Sequence, residues 1–294
     1  MKYSRRYWLK SSLVASLAGF LFLKFPLILF GKGTGKSKVI LIRDTAALDQ
    51  NGKPVRKTIS DMMDKAITAL TGIDNPRDAW KSIIKPDDIV GIKSNEWSHL
   101  PTPEALEDIL KERVLDAGVR EQNISVRDRG IRKDPVFQKS TALINVRPLR
   151  THNWSGAGTL IKNYIMFTRR PWTYHHDTCA DLGKLWKLPE VEAKTRLNIL
   201  VMLTPLFHGT GPHHFNKEYI WNYYGLLVGF DPVAIDSVGV RILENKREEY
   251  FGEKRPLNPP AKHILLADTR YNLGNADPEK IDLVKIGWKE EILL

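Results

Sequence analysis

The sequence predicts an α/β protein with a mostly parallel sheet and helices on both faces, formed by a single domain after an N-terminal signal or anchor segment. Short apolar runs rich in branched residues alternate with amphipathic segments along the chain. Strands that alternate with helices form parallel sheets that are covered on both sides. Residues 1–37 are interpreted as a signal or signal anchor with a linker, and residues 38–294 as the α/β domain.

The predicted elements alternate from the start of this domain. Lys38–Arg43 (KVILIR) is typical of a buried first strand, and apolar residues along one helical face predict a helix over 59–70, with Ser60 as its N-cap. A strand over 88–93 follows, then a helix from Thr102 to Ala117. Further strands are predicted over 124–127, 141–146, 197–203 and 281–288, and further helices over 159–167, 231–244 and 259–270.

The distribution of charge argues against a nucleic-acid ligand. The chain has 45 Lys and Arg against 34 Asp and Glu, a net charge of +11, but eight of these bases and no acid lie in residues 1–38. The rest of the chain has 37 bases and 34 acids, a net charge of +3. Such a balance provides no broad basic surface for a phosphate backbone. We therefore expect no nucleic-acid partner.

The N-terminus has the organisation of an export signal. Residues 4–10 read SRRYWLK, and an apolar stretch continues to Phe30; these correspond to the basic and apolar regions of such a signal. The seven residues resemble the twin-arginine consensus, with Trp8 where Phe is usual. They predict the twin-arginine translocase as a partner. The alternative is a signal anchor of the general export route, in which the paired arginines supply only positive charge.

The residues after the apolar stretch do not show whether the export segment is cleaved. They read GKGTGKSK and contain no small-x-small cleavage site, so the segment could stay attached as a membrane anchor. We expect a periplasmic protein or one anchored to the outer face of the cytoplasmic membrane.

The same stretch, GKGTGKS, resembles a phosphate-binding loop but lacks its spacing. Gly31 and Gly35 enclose three residues, whereas a phosphate-binding loop needs four and must precede a helix. This stretch is therefore interpreted as a flexible linker.

The cysteine content limits the cofactors. Cys179 is the one cysteine of the chain, so no four-thiolate iron–sulfur cluster can form within it. The twin-arginine route carries folded proteins, often after a cofactor has been inserted in the cytoplasm. This favours a prosthetic group or a divalent metal without identifying it.

Polar residues that follow the predicted strands are the first candidate site, because ligands of parallel α/β proteins bind at the carboxyl ends of strands. Lys93 and Asn95 follow the strand over 88–93. The lysine could bind a phosphate or carboxylate, and the amide could orient it by hydrogen bonds. A solvated strand end with Asn95 in a turn is the alternative.

A second candidate group lies in residues 150–163, which read RTHNWSGAGTLIKN after the strand over 141–146. The two glycines permit close approach of the backbone to a ligand, and the amides at the start of the following helix could hold an anion. His152, Lys162 and Asn163 would add to such a site. An ordinary loop is the alternative.

A third group, YHHDTCAD, contains the metal-ligand types His175, His176 and Asp177 in one short segment. Adjacent histidines point in different directions on a regular element, so one of the two is expected to ligate. A polar surface turn is the alternative. Cys179 could be a thiolate nucleophile, but a small buried hydrophobe is the preferred interpretation, because the sequence places no orienting third group.

A fourth group follows the most apolar strand, where the chain reads FHGTGPHH. His208, Gly209 and Gly211 form a flexible turn that could approach a ligand. Further on, Asp231 is predicted to cap the helix that starts there. Asp236 lies inside that helix among apolar residues, where a carboxylate needs a partner.

Three of these stretches together resemble the family known as domain of unknown function 362. Its members show a strand that ends in I-K-x-N, a later K-N after a small-residue loop, and a D-P-V-A-x-D helix. The matching residues here are Ile92–Asn95, Lys162-Asn163 and Asp231–Asp236, and the resemblance extends from about residue 38 to 288. It implies an α/β domain of unsettled biochemical role. Some relatives carry iron–sulfur clusters, and this chain departs from them in its cysteine content.

Two classes of function follow from these residues. The first is an exported, metal-assisted enzyme for a small anionic substrate, with Lys93, Lys162, His176 and Asp236 as catalytic residues in one cleft. The second is a non-catalytic binding or accessory protein for an iron–sulfur or other redox enzyme. Its interface would be an aromatic-rich segment. The aromatic residues of that segment are Trp154, Tyr164, Phe167, Trp172 and Tyr174.

Overall fold

The computed structural model describes residues 35–209 and 214–294. Residues 1–34, which contain most of the predicted export segment, lie outside the described residues. The signal and the membrane anchor therefore stay predictions. The strands are β1 (Ser37–Arg43), β2 (Val90–Lys93), β3 (Ile124–Arg127), β4 (Ala142–His152), β5 (Gly156–Gly158), β6 (Thr195–Leu206), β7 (Gly225–Gly229) and β8 (Ile281–Gly287). The α-helices are α1 (Arg56–Thr71), α2 (Pro76–Ile83), α3 (Glu104–Asp116), α4 (Pro135–Lys139), α5 (Leu160–Asn163), α6 (Pro232–Phe251) and α7 (Lys262–Thr269).

The strands form one eight-stranded sheet in the order β3-β2-β4-β6-β7-β1-β8, with β5 paired to β4. Neighbouring pairs β3-β2, β2-β4, β4-β6 and β1-β8 are parallel. β7 runs antiparallel to both of its neighbours, and β5 runs antiparallel to β4. The mostly parallel α/β fold predicted from the sequence is confirmed. The antiparallel strand β7 was not predicted.

Helices cover both faces of the sheet, and the alternation of side chains along each strand explains why. In β1, Ile40 and Ile42 pack with α1 and α3 on one face, while Val39 and Leu41 pack with α6 on the other. Because successive side chains of a strand point to opposite faces, a strand buried on both faces must be apolar throughout. This is why the apolar runs of the sequence identified the strands.

Several predicted helix ends are confirmed by the backbone. Gly72 ends α1 with a left-handed φ of 72°, a conformation that glycine adopts without strain. Asp231 caps α6 by accepting from the backbone N–H groups of Val233 and Ala234. The predicted N-cap at Ser60 is wrong, because α1 starts earlier, after Val55.

None of the described helices combines the length and the apolar character that a membrane crossing requires.

Candidate anion-binding site

A cleft with a volume of about 300 Å³ lies at the carboxyl ends of β2, β3 and β4. Asn95 and Trp97 line it after β2, and Asp128 and Arg129 line it after β3. Arg129 and Trp154 are exposed members of the lining, so the cleft opens to solvent beside them. Ligands of parallel α/β sheets bind at this edge.

Two buried arginines of β4 line this cleft, which we call the arginine cleft. Arg147 is 2% exposed and Arg150 is 6% exposed. Nη1 of Arg147 donates to the carbonyl oxygen of Thr159 at 3.1 Å, while its Nε and Nη2 have no hydrogen-bond partner among the described residues. Nε and Nη1 of Arg150 have none there either, and its guanidinium lies 4.1 Å from the ring centre of Trp97. Buried cationic N–H groups without acceptors suit an anion.

An irregularity in β4 accounts for both arginines reaching the same cleft. Side chains three positions apart on a regular strand point to opposite faces, but the pairing of β4 with β6 changes register between Pro148 and Arg150. Such bulges redirect side chains and are frequent beside active sites. Gly158 of β5 leaves the space that Arg147 occupies, since a Cβ there would lie 2.7 Å from Nη2 of the arginine.

Lys162 adds a third buried cation from α5. Asp236 holds the first turn of this helix, because its carboxylate oxygens accept from the backbone N–H groups of Leu160 and Ile161, each at 2.9 Å. Nζ of Lys162 lies 3.7 Å from Sγ of Cys179, and no described acidic group lies within 4.0 Å of it. Burial is the main cause that lowers the pKa of Lys162 to about 8, and the charges of the two arginines add to it.

Lys93 is fully buried and supports the wall of the cleft. Its Nζ donates to Oδ1 of Asp128 at 2.5 Å, to the carbonyl oxygen of Ser94 at 2.6 Å and to Oδ1 of Asn163 at 3.4 Å. Burial lowers the pKa of Lys93 to about 8, against the opposing effect of Asp128. Asp128 is the one acid in the described lining, and Lys93 pairs with it, so the arginine cleft keeps an excess of positive charge.

Two uncharged imidazoles complete the lining. Nδ1 of His152 accepts from the backbone N–H of Trp154 at 3.2 Å, which assigns the ring proton to Nε2. Burial, and then the charge of Lys162, lowers the pKa of His152 far below its usual value. The same two causes lower the pKa of His175 to about 4. Both rings are therefore neutral at pH 7.

A neighbouring cleft of about 290 Å³ contains His208 and Gly209 and shares His152 with the arginine cleft. Nδ1 of His208 lies 2.9 Å from Nη1 of Arg247. This guanidinium also donates to three backbone carbonyl oxygens, so it is saturated by the protein, unlike the two arginines of β4. Gly209 has a left-handed φ of 76°, in agreement with the predicted turn, and Gly211 lies outside the described residues.

The predicted metal ligands do not come together. His175 lines the arginine cleft, whereas His176 and Asp177 are exposed and Asp177 forms an ion pair with Lys262. Positive φ angles from Asp177 to Cys179 turn the chain at this point, and Cys179 is buried, as predicted. Across residues 35–209 and 214–294, no group of three His, Cys, Asp or Glu side chains is placed to hold a metal ion.

The arginine cleft is therefore lined by some of the predicted site residues and by others that were not predicted. Lys93 and Asp236 do not line the cleft but hold residues that do: Lys93 binds Asp128, and Asp236 binds the first turn of the helix that contains Lys162. His176 is exposed and lies outside the lining. The predicted residues that line the arginine cleft are Asn95, His152, Lys162, Asn163 and His175. The lining residues missed by sequence reasoning include Trp97, Asp128 and Arg147, while Arg150 lies in the predicted 150–163 group without a role assigned to it. The two arginines had a usable signal, because charged residues within an apolar strand need partners.

A comparison with protein-family models matches residues 119–241 to the domain of unknown function (DUF362). The matched segment begins before β3 and ends within α6. These residues of the chain are similar to the DUF362 family. The DUF362 match includes the K-N and D-P-V-A-x-D motifs, and Arg147 and Arg150 also lie within it, whereas the I-K-x-N stretch at 92–95 precedes it. No curated protein and no solved structure shows significant similarity to the chain.

Proposed function

We propose that this protein binds a small molecule bearing a carboxylate or a phosphate in the arginine cleft, as the substrate of an exported enzyme. One observation carries the proposal: the guanidinium groups of Arg147 and Arg150 are buried and keep unpaired N–H groups in one cleft. A guanidinium matches the planar, bidentate geometry of carboxylate and phosphate oxygens. Lys162 adds a point charge beside them.

The energetics favour an occupied cleft. A buried polar group without a partner costs roughly 1–3 kcal/mol, and charged groups cost more. Arg147 and Arg150 each have two such nitrogen atoms. An anion that accepts from these atoms would remove much of this cost, so part of its affinity would come from satisfying these N–H groups.

The shape of the cleft limits the ligand to a small molecule with an apolar part. Its volume of about 300 Å³ is at the lower end for small-molecule sites. Trp97, Trp154, Met166 and Pro171 contribute apolar surface to the lining. The ligand that fits has an anionic head against the arginines and a carbon body against these side chains.

The proposed binding involves no metal ion, because the predicted ligands diverge: His175 lines the cleft, whereas His176 and Asp177 are exposed.

The accessory-protein hypothesis is the second candidate, because Trp154 is 44% exposed and Trp172 is 62% exposed. Tyr164 and Phe167 of the same segment are core residues, so the interface would be limited to the tryptophans. Trp172→Ser should then abolish co-purification of an iron–sulfur enzyme from membranes and leave anion binding unchanged.

The export of the protein is a separate proposal, supported by the SRRYWLK stretch. Replacing Arg5 and Arg6 by lysine keeps the charge of the segment and removes the twin-arginine motif. We expect this variant to accumulate in the cytoplasm, while the wild-type protein reaches the periplasmic or membrane fraction. Unchanged fractionation would favour the signal anchor of the general export route.

Thermal unfolding in the presence of anions tests the binding proposal. Phosphate, sulfate, pyruvate and citrate are titrated into the wild-type protein and into Arg147→Gln/Arg150→Gln. A ligand at one hundred times its Kd stabilises the folded state by about 2.7 kcal/mol. We expect at least one anion to stabilise the wild type in a saturable way and to have no such effect on the variant. Equal shifts in both proteins, or none in either, would refute the proposal.

A further inference from the structure

We propose that Lys162 forms a Schiff base with the carbonyl group of an oxo acid bound in the arginine cleft. This inference rests on the proposed function, because the bound carboxylate or phosphate is what brings the carbonyl carbon to the amine. The substrate class is an aldehyde or ketone that carries an anionic group.

The surroundings of Lys162 are those of a nucleophilic amine. The side chain is 5% exposed and lines the cleft, and in the described chain it has no acidic partner to hold its proton. Its hydrogen-bond contact is the thiol sulfur of Cys179 at 3.7 Å. A lysine buried next to other cations keeps a larger neutral fraction, and the neutral amine is the form that attacks carbonyls.

Lys93 provides an internal comparison. Both lysines are buried, with exposed fractions of 0% for Lys93 and 5% for Lys162, and burial lowers the pKa of both to about 8. Nζ of Lys93, however, donates to Asp128, to the Ser94 carbonyl and to Asn163, and it does not line the cleft. The two lysines therefore differ in the availability of the amine to a ligand in the cleft.

The proposed step balances without a further reactant. The nitrogen lone pair of Lys162 attacks the carbonyl carbon, and the resulting carbinolamine loses its oxygen as water. One C=N bond replaces one C=O bond and the two N–H hydrogens leave with the oxygen, so neither partner is oxidised or reduced. The guanidinium groups of Arg147 and Arg150 hold the anionic group throughout, and this raises the effective concentration of the carbonyl at the amine.

Reductive trapping tests the inference. The full-length protein is incubated with sodium cyanoborohydride and either pyruvate or phenylpyruvate, whose ring suits the apolar lining, and the modified lysines are located by peptide mass spectrometry. We expect saturable modification of Lys162, at least ten times faster than that of the exposed Lys184, and none at Lys93. Phosphate should slow the reaction by competition. In Lys162→Arg the adduct at this position should disappear, whereas the control Lys184→Arg, outside the cleft, should keep both the adduct at Lys162 and the anion-induced stabilisation.

The outcomes separate this inference from the proposal on which it rests. If anions stabilise the wild-type protein but Lys162 is modified no faster than Lys184, the Schiff base is refuted and the anion site stands. If anions do not stabilise the protein and Lys162 is not modified, both are refuted. Modification of Lys162 that neither saturates nor responds to phosphate would also overturn the inference, since it would not pass through the cleft.

Discussion

The guanidinium of Arg147 occupies the space that a side chain at Gly158 would need, with 2.7 Å between its Nη2 and an ideal Cβ at that position. The two residues lie on the paired strands β4 and β5. Gly158 does not have a left-handed φ, so its lack of a side chain serves the arginine and not the backbone. The hairpin of β4 and β5 is therefore part of the anion site.

Gly158→Ala should displace Arg147 and weaken anion binding about ten-fold, because a hydrogen bond to a charged group contributes about 1.5 kcal/mol or more. Isothermal titration with the anion identified by thermal unfolding measures the change. The control is Gly35→Ala, where an added Cβ meets no atom within 4 Å. An unchanged Kd in Gly158→Ala would show that Arg147 does not contact the ligand.

Arg150→Met should stabilise the ligand-free protein by about 1–2 kcal/mol and weaken anion binding at least ten-fold. The substitution removes a buried charge whose N–H groups lack partners, and such groups destabilise the folded state. Urea denaturation without ligand and titration with ligand measure the two effects.

Arg43→Met is the matched control for that substitution. Arg43 is equally buried, but it donates to the carbonyl oxygens of Tyr223 and Glu290 and lies between two aromatic rings. Its removal should destabilise the protein. If Arg150→Met were as destabilising as Arg43→Met, the arginine of the cleft would be a structural residue.

Anion affinity should fall as the pH rises through about 8, because Lys162 loses its charge there. The dependence should vanish in Lys162→Arg, whose guanidinium stays protonated. Titrations from pH 6.5 to 9.5 test this.

The stability of the protein should change with pH in the opposite sense. The pKa of Lys162 in the folded state lies below the unfolded value of 10.5, so between about pH 8 and 10.5 the unfolded chain binds more protons. The cost of the buried charge is present below this window and is relieved as the pH rises through it. The free energy of unfolding should therefore rise relative to that of Lys162→Arg. Parallel curves for the two proteins would contradict the placement of Lys162 as a buried cation.

Lys93→Met should destabilise the protein by about 3–5 kcal/mol, because it leaves Asp128 buried without its cation. The double variant Lys93→Met/Asp128→Asn should recover much of this loss, since no unpaired charge remains. Urea denaturation of both variants measures the coupling between the two residues. Additive losses would mean that the pair contributes no interaction free energy.

The sequence predicted the fold well, because strands buried on both faces must be apolar along their whole length. KVILIR and LNILVML are such runs, and they became β1 and the centre of β6. β7 was missed, since GLLVG is a short run between glycines and short apolar runs do not reveal their structure by periodicity.

The site was predicted in part, because a local sequence pattern shows which residues follow a strand but not which side chains meet when the strands pair. Lys162 and His152 follow a strand, which is a local signal that the sequence shows directly. The orientation of Arg147 and Arg150 depends on a change of register between β4 and β6, and the partner of Asp236 is a helix 75 residues earlier in the chain. Such relationships arise only when the sheet is assembled.

A crystal structure of the protein grown with tungstate, an anomalous scatterer that mimics phosphate, tests the central claim most directly. We predict one strong anomalous peak within hydrogen-bond distance of the unpaired nitrogen atoms of Arg147 and Arg150, and its loss in Arg147→Gln/Arg150→Gln. An arginine cleft without tungstate, at a concentration that occupies other sites on the protein, would contradict the anion site.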